Sequence, residues 1–245
     1  MKRIGPLMLV LIALSASSVS AEAPGRIVIA DDLYLEALSE NVWMHVSTVD
    51  MPPWGPVSAN GLVYAAGDGA VLIDTPWNDR QTRDLVEWLE ADRGLRTEAV
   101  IVGHHHDDNL GGLGWIRGAG IPSYAIRETQ DICRGKGLPM PSRTVGGRET
   151  LRFSGRPVQV FFPGEGHTSD SIAVYLPDEE ILFGGCSVKA LSARGPGNTA
   201  EANLAEWPRS LERLKEAFPG ARIVVPGHGA PGDLGLIDHT IGLLR

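Results

Sequence analysis

The densest polar cluster of the chain, HHHDD at positions 104–108, comes directly after the apolar run AVIVG. Burying three imidazoles and two carboxylates side by side would cost several kcal/mol unless each group found a partner. The chain contains seven histidines in 245 residues, so three in a row is an unusual concentration. The run is therefore either a solvated loop or the binding site of a cation.

Three more apolar runs end in residues that can bind a metal. FFPGEGH ends at His167, ILFGGC ends at Cys186 and RIVVPGH ends at His228. Loops at strand ends are where a rigid scaffold presents functional side chains. One such histidine would more often be structural, but four strand ends that all offer nitrogen, sulfur or oxygen donors predict a metal site.

The spacing within HHHDD selects among its residues. His104 and His106 are separated by one residue and can face the same side of a loop, whereas His105 would point away and Asp108 continues the alternation. The candidate ligands are His104, His106, Asp108, His167, Cys186 and His228. A tetrahedral zinc takes four ligands, and catalytic zinc keeps a position open for water. Six ligands therefore predict two Zn²⁺ per chain, each with three protein ligands and an open position.

The hydrophobic pattern predicts an α/β sandwich built from two similar halves. Strand-like runs at 26–30, 42–49, 61–66 and 70–74 precede a helical pattern from Asp79 to Arg93, with Asn78 as its cap. Strand and helix signals then alternate, and a second strand-rich set precedes a helix from Leu204 to Ala217. We expect two sheets face to face with helices outside.

The N-terminus has the layout of a secretory signal. Lys2 and Arg3 precede an apolar run from Leu7 to Leu14, and the small-residue segment SASSVSA ends at Ala21. We expect residues 1–21 to be removed, residues 22–245 to form a single domain, and the protein to be exported to the periplasm. The apolar run is too short for a stable membrane anchor.

The charge and the cysteines restrict the partners. The net charge of −8 becomes −10 when Lys2 and Arg3 are lost, and an acidic chain without a basic patch argues against binding nucleic acid. Nothing in the sequence demands more than a monomer. Cys133 and Cys186 could pair as a disulfide in an oxidising compartment, which would remove Cys186 from the metal site.

HHHDD matches the H-x-H-x-D motif of the metallo-β-lactamase superfamily. In the identity and order of its ligands the chain resembles subclass B1 over essentially all of residues 22–245. It carries Asn109 where glyoxalase-type hydrolases and subclass B3 have a histidine, and His104 where subclass B2 has asparagine. The resemblance implies an αββα sandwich of two facing mixed β-sheets. It also implies that one zinc is held by His104, His106 and His167 and the other by Asp108, Cys186 and His228.

The resemblance also implies an activity. A zinc-bound hydroxide would hydrolyse the β-lactam amide bond of penicillins, cephalosporins and carbapenems, which confers antibiotic resistance. Asp108 could pass a proton to the departing nitrogen. Lys189 would bind the substrate carboxylate, and Asn198 would donate a hydrogen bond to the lactam oxygen.

The loop VDMPPWGPVSANG, residues 49–61, exposes Met51 and Trp54 among three prolines. The resemblance indicates a hairpin flap over apolar parts of the substrate, although a local minicore is an alternative. Trp77 would line the floor of the pocket or pack in the core. Asp74 resembles a family carboxylate that lies behind the ligands, where it would orient a ligand histidine.

Two other functions stay open at this point. A lactonase or thioesterase on the same fold would keep the zinc ions without needing both Lys189 and Asn198. An exported protein that binds zinc without catalysis would hold one ion in a closed, four-ligand site.

Overall fold

The computed structural model describes residues 25–245, so the predicted signal segment 1–21 lies outside the described residues. The chain forms two β-sheets. The first contains eight strands in sequential order: β1 (Arg26–Ala30), β2 (Leu33–Ala37), β3 (Val42–Asp50), β4 (Pro56–Ala66), β5 (Gly69–Ile73), β6 (Arg96–Ile101), β7 (Ser123–Ala125) and β8 (Arg143–Thr144). The second has the order β13-β12-β11-β10-β9, formed by β9 (Arg148–Phe153), β10 (Arg156–Phe161), β11 (Ala173–Leu176), β12 (Ile181–Gly185) and β13 (Ile223–Pro226).

Both sheets are mixed, and helices cover their outer faces. Strands β5 to β8 pair in parallel, as do β12 and β13, while the remaining pairs are antiparallel. The helices are α1 (Asp79–Arg93), α2 (Asp107–Leu110), α3 (Leu113–Gly118), α4 (Arg127–Lys136), α5 (Trp207–Ala217) and α6 (Gly235–Leu243). No helix within residues 25–245 has both the length and the apolar character needed to cross a membrane.

Three apolar clusters define the layers. The cluster between the sheets brings Leu62 and Ile73 of the first sheet together with Val174 and Phe183 of the second. A second cluster packs α1, α3 and α4 on the outer face of the first sheet, and a third packs α5 and α6 on the second sheet. The predicted αββα sandwich is therefore confirmed.

The first long helix begins and ends where the sequence predicts. Asn78 accepts a hydrogen bond from the backbone N of Gln81 at 2.9 Å, and Gly94 ends the helix with φ = 65°. A left-handed residue at this position is usually glycine, because glycine has no Cβ to clash. The apolar positions of the helix, including Leu85 and Leu89, are buried against the sheet.

Other boundaries differ from the prediction. Helix α5 begins at Trp207 rather than Leu204, and Leu204 is half-exposed in the preceding loop. The sequence pattern also missed β2 and β9. Strand β9, RETLRF, is the edge of its sheet and is mostly exposed, so its alternation carries too few apolar residues to stand out from a loop.

Candidate metal centre

The six predicted ligands meet at one end of the sandwich. His104 and His106 follow β6, Cys186 follows β12, His228 follows β13, and His167 lies in the loop between β10 and β11. The ends of parallel neighbouring strands lie at the same sheet edge, which is why ligands distant in the sequence converge. Three overlapping groups have donor atoms within 4.8 Å of one another: His104, His106 and Asp108; His104, His167 and Cys186; and Asp108, Cys186 and His228.

Three of the ligands form a cluster of imidazole rings. The ring centroids of His104, His106 and His167 are 4.7 to 5.2 Å apart, with the planes close to perpendicular. Nε2 of His104 lies 3.0 Å from Nδ1 of His106, so these two nitrogens face a common point. We call these residues the three-histidine group.

The other three ligands form a triangle of donor atoms, which we call the cysteine group. Cys186 Sγ lies 3.2 Å from Asp108 Oδ2 and 3.5 Å from His228 Nε2, and the last two atoms are 3.2 Å apart. Donors around a tetrahedral zinc at bond lengths of roughly 2.0–2.3 Å are about 3.3–3.8 Å apart. The spacing and the N, S and O donor types of the cysteine group therefore fit zinc, and the three-histidine group adds imidazole nitrogens, which zinc also binds.

The local backbone explains how these side chains come so close. Asp108 lies in the first turn of α2, rather than in a continuing extended loop as the alternation suggested, and His106 immediately precedes that helix. At Gly227 a Cβ atom would come within 2.4 Å of Cys186 Sγ. Glycine is therefore required there for the β13 loop to approach the cysteine.

Burial sets the protonation states of the centre. It lowers the pKa of His104 to about 4 and that of His167 to about 2, so both rings are neutral and able to bind a metal. Burial alone would raise the pKa of Asp108, but the hydrogen bond with His228 and the nearby His104 outweigh it and lower that pKa.

The thiol of Cys186 has the opposite tendency. Burial and the adjacent Asp108 carboxylate raise its pKa well above the usual value. A buried thiol beside a carboxylate has no reason to ionise by itself, whereas a bound cation deprotonates a coordinating thiol. The chemistry of this donor set therefore fits a metal ion.

Asp74 is fully buried behind the ligand loop. Its carboxylate accepts hydrogen bonds from the backbone N of Gly103, at 2.5 Å, and from Nδ2 of Asn109. Neither partner is a ligand histidine, so the expected contact with an imidazole is not present. Asp74 instead fixes the backbone immediately before His104, because its carboxylate accepts the hydrogen bond of the Gly103 backbone N.

The predicted substrate-binding residues border a cleft of about 700 Å³ at the metal centre. Its walls include Met51, Trp54, Trp77, Lys189 and Asn198, together with His106, Asp108, His167 and His228. Met51 and Trp54 lie at the tip of the β3–β4 hairpin, and the Trp54 side chain is 75% exposed. The minicore alternative does not fit a tryptophan that faces solvent.

Lys189 and Asn198 both border the cleft. Lys189 is only 9% exposed, with its Nζ 5.4 Å from the centre of the Trp207 ring, so it is not an ordinary surface lysine. Burial lowers its pKa, and Cys186 and Asp108 partly offset that effect. Oδ1 of Asn198 accepts a hydrogen bond from the backbone N of Ala200 at 3.1 Å, which reserves its NH₂ group for a donor role.

The cysteines are both free thiols. Cys186 is part of the candidate metal centre, whereas Cys133 lies on the buried face of α4, in the apolar cluster against the first sheet. The alternative of a Cys133–Cys186 disulfide is therefore wrong.

The sequence did not identify the partners of the middle histidine. His105 contacts Asp170 with Nδ1 at 2.9 Å and Glu201 with Nε2 at 2.9 Å, and Glu201 also contacts His106 and Lys136. Asp170 lies three residues after His167, where its sequence position is equally typical of a cap for the following strand. No sequence signal connects Glu201 with His105, which precedes it by 96 residues.

Comparisons with known proteins agree with this geometry. Residues 54–228 match the family model described as the metallo-β-lactamase superfamily. The chain is 40% identical to a metallo-β-lactamase type 2 of Bacteroides fragilis, over 91% of this chain and 89% of that protein. It is 36% identical to a metallo-β-lactamase type 2 of Bacillus cereus, over 86% and 82% of the two chains. The crystal structure of VMB-1 superposes with a TM-score of 0.84 at 40% identity, covering 88% of this chain and 97% of that one.

The chain belongs to the metallo-β-lactamase superfamily. Its curated relatives are type 2, or B1-like, enzymes, so the resemblance read from the sequence is confirmed. The chain is accordingly a metal-binding hydrolase of the metallo-β-lactamase kind.

Proposed function

We propose that this enzyme hydrolyses the β-lactam amide bond of penicillins, cephalosporins and carbapenems with two zinc ions, and that it thereby confers antibiotic resistance. The observation that carries the proposal is that Lys189 and Asn198 border the same cleft as four of the six candidate ligands, His106, Asp108, His167 and His228. A metal centre alone would suit many hydrolases. A cation and an amide donor beside it suit a substrate that has a carboxylate and a strained amide.

The two ligand groups suggest how the metals are divided. The three-histidine group would hold one zinc, and the cysteine group would hold the other. When bound, zinc polarises a carbonyl oxygen and lowers the pKa of water to about 7, so that hydroxide is available at neutral pH. The lowered pKa of Asp108 favours a ligand role for that residue over the proton transfer that the resemblance also implies.

The other side chains of the cleft would bind and orient the substrate. The ammonium group of the buried Lys189 would pair with the substrate carboxylate. The NH₂ group of Asn198 would donate a hydrogen bond to the lactam oxygen as negative charge develops on that oxygen. Met51 and Trp54 offer an apolar surface at the tip of the hairpin, and Trp77 lines the cleft below it.

Replacing Lys189 should weaken substrate binding. We expect Lys189→Met to raise KM by roughly 10-fold to 100-fold, because a charge-assisted hydrogen bond contributes about 1.5–3 kcal/mol. Zinc content should stay at the parental value, because Lys189 is not a ligand. Steady-state kinetics with a penicillin and a cephalosporin test this expectation. An unchanged KM for both substrates would remove Lys189 from the carboxylate site.

The proposed function is tested by removing the metal. Purified protein loaded with zinc should hydrolyse a carbapenem, which is measured as a loss of the ultraviolet absorbance of the carbapenem. EDTA should abolish the reaction, and added zinc should restore it. Two bound zinc ions without hydrolysis of a carbapenem, a penicillin or a cephalosporin would refute the proposal. Lactones and thioesters would then be the substrates to test.

We also propose that the enzyme acts in the periplasm as a monomer, with small-molecule β-lactams as its partners and without nucleic acid or a membrane anchor. The support is the signal-like pattern of residues 1–21 and the acidic charge of the chain. N-terminal sequencing of the exported protein should give Glu22 as its first residue.

A further inference from the structure

The carboxylate of Glu201 connects the substrate side of the cleft with a metal ligand. Its Oε2 accepts from Nε2 of His106 at 2.8 Å and from Nε2 of His105 at 2.9 Å, and its Oε1 accepts from Nζ of Lys136 at 2.5 Å. Glu201 lies three residues after Asn198 in the same loop. One side chain thus touches both the ligand loop after β6 and the end of α4.

The contact with His106 uses the nitrogen that faces away from the metal centre. Nδ1 of His106 is the nitrogen that lies 3.0 Å from Nε2 of His104. An imidazole that binds a metal through Nδ1 carries its proton on Nε2, and a carboxylate that accepts this proton fixes both the tautomer and the orientation of the ring. Glu201 is in the position to do this.

We propose that Glu201 is a positioning residue with two effects. It holds the His106 ring in its metal-binding orientation, and it ties the Asn198 loop to that ring. The second effect rests on the proposed function, because it assumes that Asn198 faces the substrate.

The surroundings hold Glu201 in place. His105 reaches it from the ligand loop, and the other nitrogen of that ring contacts the wholly buried Asp170 at 2.9 Å. Lys136 approaches from α4, and its Nζ also lies 3.0 Å from Nε2 of His105. The Glu201 side chain is 40% exposed, so its charge is screened by water. The directional hydrogen bond to His106 therefore matters more than the ion pair with Lys136.

A second carboxylate in the neighbourhood provides a matched control. Glu165 accepts a hydrogen bond from Nδ2 of Asn203 at 2.7 Å and so anchors the same loop two residues further on. The carboxylate of Glu165 bonds to Asn203 rather than to a candidate ligand histidine. Glu201→Ala and Glu165→Ala therefore both release the loop, but only the first removes the partner of His106.

The experiment measures zinc affinity by competition with a chelator, together with the absorption spectrum of the cobalt-substituted protein. We expect Glu201→Ala to weaken zinc binding about 10-fold to 100-fold, the range for residues that hydrogen-bond to ligands. The cobalt ligand-field bands should change, while the thiolate-to-cobalt band from Cys186 should persist. Glu165→Ala should keep the parental affinity and spectrum. Equal zinc affinities for the parent and both variants would overturn the proposed effect on His106.

Kinetics at saturating zinc test the second effect. We expect kcat of Glu201→Ala to fall even when both metals are bound, and a parental kcat would overturn the link to the Asn198 loop. Glu201→Met, which keeps the length of the side chain but removes the carboxylate acceptor, decides both points if the alanine variant does not fold. If the parent enzyme hydrolyses no β-lactam, the proposed function fails, but the zinc affinities still test the effect on His106.

Discussion

Cys186→Ser should remove one of two zinc ions and lower kcat by at least about 100-fold. Loss of a residue that only hydrogen-bonds to a ligand already costs 10-fold to 100-fold, and Cys186 is itself a corner of the cysteine group. A serine hydroxyl is a poor ligand at neutral pH because it does not ionise there as a metal-bound thiol does. Elemental analysis of the purified variant gives the zinc content, and hydrolysis of a carbapenem gives the rate.

The second cysteine of the chain is the matched control for this substitution. Cys133 is a fully buried residue of α4 within the apolar cluster on the outer face of the first sheet, and it belongs to none of the candidate ligand groups. Cys133→Ala should retain two zinc ions and close to the parental kcat. A Cys186→Ser protein that keeps both zinc ions and the parental rate would show that the thiol is not a ligand.

Phe183→Ala should lower the free energy of unfolding by about 3–5 kcal/mol, the cost of removing a buried phenylalanine. Phe183 is 1% exposed and projects from the second sheet into the cluster between the sheets. The hydrogen-bonded strands of the two sheets cannot move together far enough to fill the cavity that the missing phenyl ring leaves. Urea denaturation of parent and variant, both with EDTA so that zinc binding does not stabilise either, measures the difference.

An exposed valine of the first sheet provides the comparison. Val28 in β1 is 50% exposed, and Val28→Ala should change the free energy of unfolding by no more than about 0.5 kcal/mol. A decrease of less than about 1 kcal/mol in the free energy of unfolding of Phe183→Ala would contradict the prediction. It would mean that the neighbouring side chains fill the space that the phenyl ring leaves.

Local signals in the sequence determined most of the secondary structure and predicted the side chains that meet at the candidate metal centre. The cap at Asn78 and the apolar spacing of Leu85 and Leu89 define α1 without reference to any other element. The candidate ligands were found for a similar reason, because each donor follows an apolar strand within a few residues. A pattern contained in ten residues can be recognised without knowing which other segments of the chain pack against it.

The tertiary structure decided what each polar side chain contacts. Asp74 holds the backbone of Gly103 instead of a histidine, and Glu201 reaches His105 and His106 across about 95 residues of sequence. The same holds for β9, which the sequence pattern missed because an exposed edge strand has little apolar alternation. Contacts of this kind depend on how the two sheets and their loops pack together, and a linear pattern does not specify that packing.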